Sequence, residues 1–212
     1  MIGLLSFVCF LTGIHIATYW YAVLQEPTPL WELDTAVVRQ VIRHQLTLFP
    51  IAFTPILMGL DLTFCWYTEL LKWAGMLVLY DVFFGIVHYA AHKYFWPLHK
   101  EHHSLYQASS ALYGSWQDIL FVNYLPFAAA LYCVNASWVS CVLYAVIGTH
   151  ASVHSHSHSI THAAHHILKT VNFGDEPFFL YDRYIHTFMD AKTASKRGVS
   201  IPRRELYHVK NT

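Results

Sequence analysis

Residues 88–103 read HYAAHKYFWPLHKEHH, and this stretch decides how the whole chain is interpreted. Five histidines fall within it, at the spacings His-x3-His and His-x2-His-His. The denser spacing occurs again at His162, His165 and His166. Residues three or four positions apart share one face of a helix, so each group can direct imidazoles toward a common point. The spacing therefore predicts metal binding.

The composition indicates an integral membrane protein. Of the 212 residues, 55% are hydrophobic and 12% are charged, whereas about 25% of the residues of a soluble domain are charged. Lys plus Arg and Asp plus Glu number 13 each. Because no net charge is available to attract phosphates, we expect no nucleic-acid partner.

The apolar runs predict an all-α integral membrane protein with about four transmembrane helices, since a spanning helix needs about 20 apolar residues. The predicted spans are residues 2–24, 47–66 and 70–91, and a helical hairpin over residues 119–150. The hairpin would turn near Asn135, and one long tilted helix is the alternative. Residues 25–46 are predicted to be a polar loop with a short amphipathic helix. Asp61 is costly in its span unless it faces protein or water.

The basic residues predict the topology. Residues 25–46, 92–118 and 151–212 contain twelve of the thirteen Lys and Arg, and only Lys72 lies on the other side. The positive-inside rule then places these segments in the cytosol, with every histidine except His15. We expect a single membrane domain over 1–212, in which 92–118 and 151–212 form a histidine-rich helical metal-binding cap and tail.

The number of histidines indicates two metal ions. All-imidazole sites suit Zn, Cu, Fe or Ni, and eight to ten histidines exceed the four ligands of a structural zinc site. His150 and His154 repeat the i, i+4 spacing and are expected to be ligands as well. His156 and His158 alternate with serine and are expected in a flexible loop.

The remaining polar residues have ordinary interpretations. His15, His44 and His208 are expected to be interfacial polar residues. Asp81 lies seven residues before His88 on the same helix face, where its carboxylate could receive the second N–H of a ligating imidazole. Capping of a polar patch is the alternative role for Asp81.

The order of the four histidine spacings resembles that of the fatty acid hydroxylase and sterol desaturase superfamily of membrane di-iron oxygenases. Asp81 looks like the acidic residue that this family keeps before its first histidine box, and residues 172–188, NFGDEPFFLYDRYIHTF, are similar to its closing segment. The resemblance implies a catalytic centre supported by Asp81, two iron ions, and O2 as co-substrate. The implied iron ligands are His88, His92, His99, His102, His103, His150, His154, His162, His165 and His166.

The resemblance also implies an endoplasmic-reticulum-type membrane, an active site on the cytosolic face, and cytochrome b5 with its reductase as electron donors. Two stretches look like the sphingoid-base C4-hydroxylases: His103-Ser104-Leu105-Tyr106 with Ala111-Leu112-Tyr113, and residues 169–183. Residues 115–118, Ser-Trp-Gln-Asp, depart from the family pattern, which usually has His-Pro and then an acidic residue.

The expected function is hydroxylation of an unactivated C–H bond of a long-chain lipid, with sphinganine or dihydroceramide hydroxylated at C4 as the first candidate. A sterol desaturase, or a sterol methyl oxidase or hydroxylase, of the same superfamily is the alternative. A metal transporter is the alternative from a different class, suggested by the HSHSH sequence at 154–158.

Overall fold

The structure is a computed structural model, and it describes residues 2–26, 34–58, 65–174, 176 and 178–201. Over these residues the fold is all-helical, as predicted, and contains no strand. Asp61, at the end of one predicted span, and His208 lie outside the described residues.

Within the described ranges, ten α-helices follow one another along the chain. They are α1 (Ile2–Gln25), α2 (Thr35–Met58), α3 (Trp66–Tyr94), α4 (Trp96–His99), α5 (Trp116–Asp118), α6 (Leu125–Cys133), α7 (Trp138–His158), α8 (Ile160–Leu168), α9 (Leu180–Ile185) and α10 (Ala191–Lys196). Two 3-10 turns, His102–Ser104 and Ala108–Ser110, follow α4, and a π-helical turn, Ile119–Tyr124, joins α5 to α6.

Helix α2 replaces two predicted elements, the short amphipathic helix of 25–46 and the first part of the span 47–66. The helix continues because Val37, Val41, Leu48 and Ala52 recur at helical spacing and are all buried, and α2 packs against α1. A continuous apolar face stabilises one helix more than two fragments. Pro50 and Pro55 both lie inside this helix rather than at its end.

Two helices are long and apolar enough to cross a membrane. They are Gly3–Gln25 in α1 and Trp66–Tyr94, which is α3, and they match the predicted spans 2–24 and 70–91. No other helix of the described ranges meets this test. The structure therefore provides two candidate spans where about four were predicted.

In the described chain α6 and α7 are separated by a turn at residues 134–137, where the sequence predicts that the hairpin turns. Asn135 adopts a left-handed backbone conformation with φ of 49°, which Asn tolerates better than most residues. Glu69 of α3 accepts hydrogen bonds from the hydroxyls of Ser137 and Ser140 at 2.8 and 2.7 Å. These bonds attach the start of α7 to α3. Helix α7 then continues to His158, beyond the predicted end at residue 150.

Helix α9 packs closely on α3. A Cβ atom placed on Gly85 would lie 2.6 Å from Cβ of Tyr181, so only glycine permits this approach. Asp81 Oδ2 accepts the backbone N–H groups of Leu180 and Tyr181 at 2.7 and 3.3 Å. One glycine and one carboxylate thus fix the closing segment against α3.

We predict that Gly85→Ala destabilises the protein by about 1–3 kcal/mol, because the added methyl group displaces Tyr181. Gly75→Ala is the matched control on the same helix. Its new Cβ would meet Val134 at 3.5 Å, an ordinary contact, and alanine favours the helix by about 1 kcal/mol. Thermal unfolding in detergent measures both variants, and equal melting temperatures would contradict the predicted packing.

Candidate metal centre

Nine histidines converge in two groups. In each group the nearest ligand atoms all lie within 4.8 Å of one another. The five-histidine cluster consists of His88, His92, His99, His103 and His165, and the four-histidine cluster consists of His102, His156, His162 and His166. Eight of these nine residues were predicted to be metal ligands.

A break in the helix brings the first two histidine boxes together. His88 and His92 lie one turn apart near the end of α3. Helix α3 ends at Tyr94, and Pro97 lies in the first turn of α4, where its missing N–H is tolerated. The chain therefore turns at Phe95, and His99 returns to face His88. Pro97 predicts such a break from sequence alone, because proline cannot lie in a helix interior without kinking or ending the helix.

Each His-His pair is divided between the two clusters. His102 and His103 have ring planes 90° apart, and the rings of His165 and His166 are 87° apart. His102 and His166 belong to the four-histidine cluster, whereas His103 and His165 belong to the five-histidine cluster. The expectation that one box serves one point is therefore wrong, because consecutive residues of a helix point in directions about 100° apart.

In five of these histidines Nδ1 lies within hydrogen-bonding distance of an oxygen atom. The contacts are His88 to the carbonyl of Phe173 (2.9 Å), His165 to that of Val171 (2.8 Å), His102 to that of Tyr113 (3.0 Å), His156 to that of Ser152 (2.9 Å), and His99 to Oδ1 of Asp118 (2.7 Å). A carbonyl can only accept, so the four imidazoles that face one carry their proton on Nδ1. Their Nε2 lone pairs are left for another partner. This arrangement is the usual one for histidines that bind metal.

The Nε2 atoms then face one another. Successive Nε2 separations are 3.0 Å (His88–His99), 3.0 Å (His99–His103), 3.2 Å (His103–His165) and 3.2 Å (His165–His92). In the four-histidine cluster they are 3.4 Å (His102–His156), 3.1 Å (His156–His162) and 3.1 Å (His162–His166). Metal–N bonds of about 2.1 Å at right angles place neighbouring nitrogens about 3.0 Å apart. Opposed lone pairs at such distances are stabilised by a cation between them, so these residues fit one metal ion per cluster.

The two clusters adjoin. The ring centroids of His103 and His166, one from each cluster, are 4.4 Å apart, and those of His102 and His103 are 5.6 Å apart. Two ions held here would lie side by side within one site.

His150 and His154 do not reach either cluster, contrary to expectation, and His156 does. The buried face of α7 runs through Cys141, Ala145 and Thr149 to His156. His150 and His154 lie off this face and are exposed. The serine-histidine alternation was interpreted as a flexible loop, but the structure places it in the last turns of α7, and the register of that helix selects His156.

Asp118 has the role that was assigned to Asp81. Its carboxylate contacts Nδ1 of His99, and its other oxygen is buried without a hydrogen-bond partner. Asp81 instead fixes α9, as described above, and the N–H of His88 goes to the carbonyl of Phe173. Asp118 was noticed in the sequence only as part of a departure from the family pattern. The signal for it was an acidic residue fifteen positions after His103, the last residue of the second histidine box.

The closing segment supplies carbonyl acceptors to the five-histidine cluster. Asp182 accepts the backbone N–H groups of Phe173 and Gly174 at 2.7 and 2.5 Å. The side chain of Asn172 bridges the carbonyls of Thr161 and Met189. These bonds hold the loop so that the Phe173 carbonyl meets His88.

Burial keeps these imidazoles neutral. It lowers the pKa of His99, His156 and His165 to about 3, and that of His102 to about 4. Burial also raises the pKa of the Asp118 carboxyl to about 7. Neutral imidazoles are the form that binds metal, so the site needs little deprotonation before an ion binds.

A cavity of about 250 Å³ borders both clusters. At one end its wall includes His88, His99, His102, His156 and His162. From there it follows α3 through Phe84, Tyr80 and Leu77 to Trp73. His88 and Trp73 are fifteen positions apart on α3, which corresponds to a length of about 22 Å. The arrangement offers a metal centre at one end of a mostly apolar channel.

No protein-family profile, characterised protein or solved structure matches this chain.

We predict that His156→Ala lowers the metal content from about two ions per chain to about one, because it removes a ligand of the four-histidine cluster. His154→Ala, two residues away and outside the clusters, should leave the content unchanged. Elemental analysis of the purified proteins measures both. The reverse pattern would restore His154 as the ligand.

We also predict that acid destabilises the metal-free protein. The unfolded chain takes up protons near pH 6.5, whereas the buried His99, His102, His156 and His165 remain neutral down to about pH 3–4. The unfolded state binds more protons in this window, so the free energy of unfolding decreases as the pH falls through it. The melting temperature measured between pH 7 and 4 should fall steadily, and less steeply for His156→Ala. A flat profile would contradict the burial of neutral imidazoles.

Proposed function

We propose that the chain is an integral membrane di-iron oxygenase that hydroxylates an unactivated C–H bond of a long-chain lipid. One observation carries the proposal: two adjoining histidine clusters, whose lone pairs converge, open onto a long apolar cavity. The histidine order and the closing segment, which resemble the fatty acid hydroxylase and sterol desaturase superfamily, suggest the metal and the chemistry.

A membrane location is supported by the outer surface of the candidate spans. Only 17% of the apolar window of α3 is buried against the rest of the described chain. Leu70, Leu71, Val78 and Ile86 on this helix are exposed. Exposing such an apolar surface to water costs about 25 cal/mol per Å², and contact with lipid chains removes that cost. We propose an endoplasmic-reticulum-type membrane, which the resemblance implies, and histidines on the cytosolic face, which the distribution of basic residues favours.

The two clusters would each hold one iron ion through neutral imidazoles. When bound, such ions supply the redox chemistry that activates dioxygen for insertion into a C–H bond. The chain itself positions the ligands: Asp118 orients the ring of His99 through Nδ1, and backbone carbonyls fix the tautomers of His88, His102, His156 and His165. The division of the His-His pairs holds the two ions next to each other.

The cavity determines which substrates fit. Besides Asp81 and His88, its wall along α3 consists of the apolar and aromatic residues Phe84, Tyr80, Leu77, Met76 and Trp73. An alkyl chain in this channel would displace water and present its C–H bonds to the clusters at the channel end. Removal of water strengthens electrostatic interactions in the site and prevents side reactions.

Electrons must come from outside, because one oxygen atom enters the substrate and the other leaves as water, which requires a reductant. We propose that the donor, cytochrome b5 with its reductase, approaches the face at Trp96. This half-buried ring lies 5.3 Å from the ring of His92 and 5.4 Å from that of His103. The ammonium group of Lys169 lies 4.9 Å from the centroid of this ring, and Lys93 and Lys100 are exposed nearby in sequence. An acidic donor surface would match this charge.

We predict that protein reconstituted with ferrous iron and supplied with reductant consumes O2 and hydroxylates a long-chain lipid, while His102→Ala loses at least 100-fold in rate because the four-histidine cluster is broken. His154→Ala is the matched control and should retain activity. Lipid profiling of cells that express each form identifies the product. New 4-hydroxysphinganine would support sphingoid-base C4-hydroxylation, and a changed sterol profile would support the sterol branch.

Two results would refute the oxygenase. One is a stable content of at most one metal ion per chain under reducing conditions. The other is turnover that continues when dioxygen is removed.

A further inference from the structure

A second polar group lies in the wall of the cavity, away from the metal clusters. His15 of α1 contacts Oγ1 of Thr149 through Nδ1 at 2.8 Å and the hydroxyl of Tyr124 through Nε2 at 3.2 Å. All three residues are buried and line the cavity. The ring of His15 stacks on Phe49 with centroids 4.2 Å apart. A histidine in such apolar surroundings, within a candidate membrane span, requires an explanation.

The hydrogen bonds within this group leave it incompletely satisfied. A neutral imidazole has one donor and one acceptor. If Nδ1 donates to Thr149, then Tyr124 donates to Nε2 and the Thr149 O–H has no acceptor within the group. In the other tautomer, Thr149 donates to Nδ1 and the Tyr124 O–H is left over. In either case one buried hydroxyl still has a hydrogen to donate, and leaving it without an acceptor costs about 1–3 kcal/mol.

Both residues that can carry the unused O–H group line the cavity. Tyr124 ends the π-helical turn Ile119–Tyr124, and such turns occur frequently at functional sites. The other candidate hydroxyl, Thr149, is on α7, seven residues before His156 of the four-histidine cluster. The rise of a helix places the two positions about 10 Å apart along the channel.

We propose that His15, Tyr124 and Thr149 form a hydrogen-bonding subsite in the cavity wall that binds a hydroxyl or carbonyl group of a long-chain lipid. Resting on the oxygenase proposed above, the subsite names the substrate class: a long-chain lipid that carries a polar group within the channel. A fully saturated hydrocarbon leaves the buried hydroxyl without an acceptor and binds more weakly.

The test compares octadecan-1-ol with octadecane as competitors for a fluorescent long-chain probe bound to the full-length, metal-loaded protein in detergent without reductant. Octadecan-1-ol should displace the probe at a roughly tenfold lower concentration, the range expected for a satisfied buried hydrogen bond. Thr149→Val and Tyr124→Phe should bring the two competitors close to parity. Tyr19→Phe is the matched control, since this cavity residue already donates its O–H to the carbonyl of Ser109 at 2.8 Å, and it should keep the preference.

Equal displacement by the two compounds in the unmodified protein would overturn the subsite, even where the variants do not fold. A preference that persists in Thr149→Val and Tyr124→Phe would also overturn it, since the group would then hold water only. Binding is measured without turnover. If the unmodified protein hydroxylates lipid but shows no preference for octadecan-1-ol over octadecane, the subsite alone is refuted. A retained preference without hydroxylation refutes the oxygenase alone.

Discussion

The centre depends on one electrostatic constraint: imidazole lone pairs that face one another across about 3 Å. Backbone carbonyls hold the Nδ1 protons of His88, His102, His156 and His165, which leaves the lone pairs of Nε2 directed inward. Without a cation these lone pairs repel, and with one they become ligands. The surrounding structure, including α4 after its break and the loop held by Asp182, places these carbonyls and imidazoles in register.

The remainder of the fold connects this centre to an apolar channel. Helix α3 contributes both, since it carries His88 and His92 at one end and Trp73 toward the other. Gly85, lying between them, allows α9 to approach, and α9 belongs to the segment whose carbonyl fixes His88. One helix thus serves as ligand donor, channel wall and support for the closing segment. Because one helix has three roles, a chain of 212 residues can hold two histidine clusters and a binding cavity.

Much of the fold and of the candidate metal centre could be predicted from local sequence patterns. Histidine spacing found eight of the nine converging imidazoles, Pro97 predicted the break after α3, and Asn135 predicted the hairpin turn. His156 was missed because its selection depends on the rotation of α7 about its own axis, which the buried residues Cys141, Ala145 and Thr149 set. Asp118 was missed because its pairing with His99 depends on the path of the chain between them. The continuity of α2 was missed because the polar residues of 25–46 predicted a loop, whereas the packing of α2 on α1 continues the helix across that boundary.

The division of the His-His pairs has a mechanical consequence. Two neighbouring residues on a chain have Cα atoms 3.80 Å apart, a distance fixed by bond lengths and angles. His102 and His103 form one such link between the clusters, and His165 and His166 form a second. The two clusters are therefore joined by covalent bonds at two points. Covalent bonds deform much less than side-chain packing. Thermal motion that loosens the bundle would move both halves of the centre together and leave their spacing nearly constant.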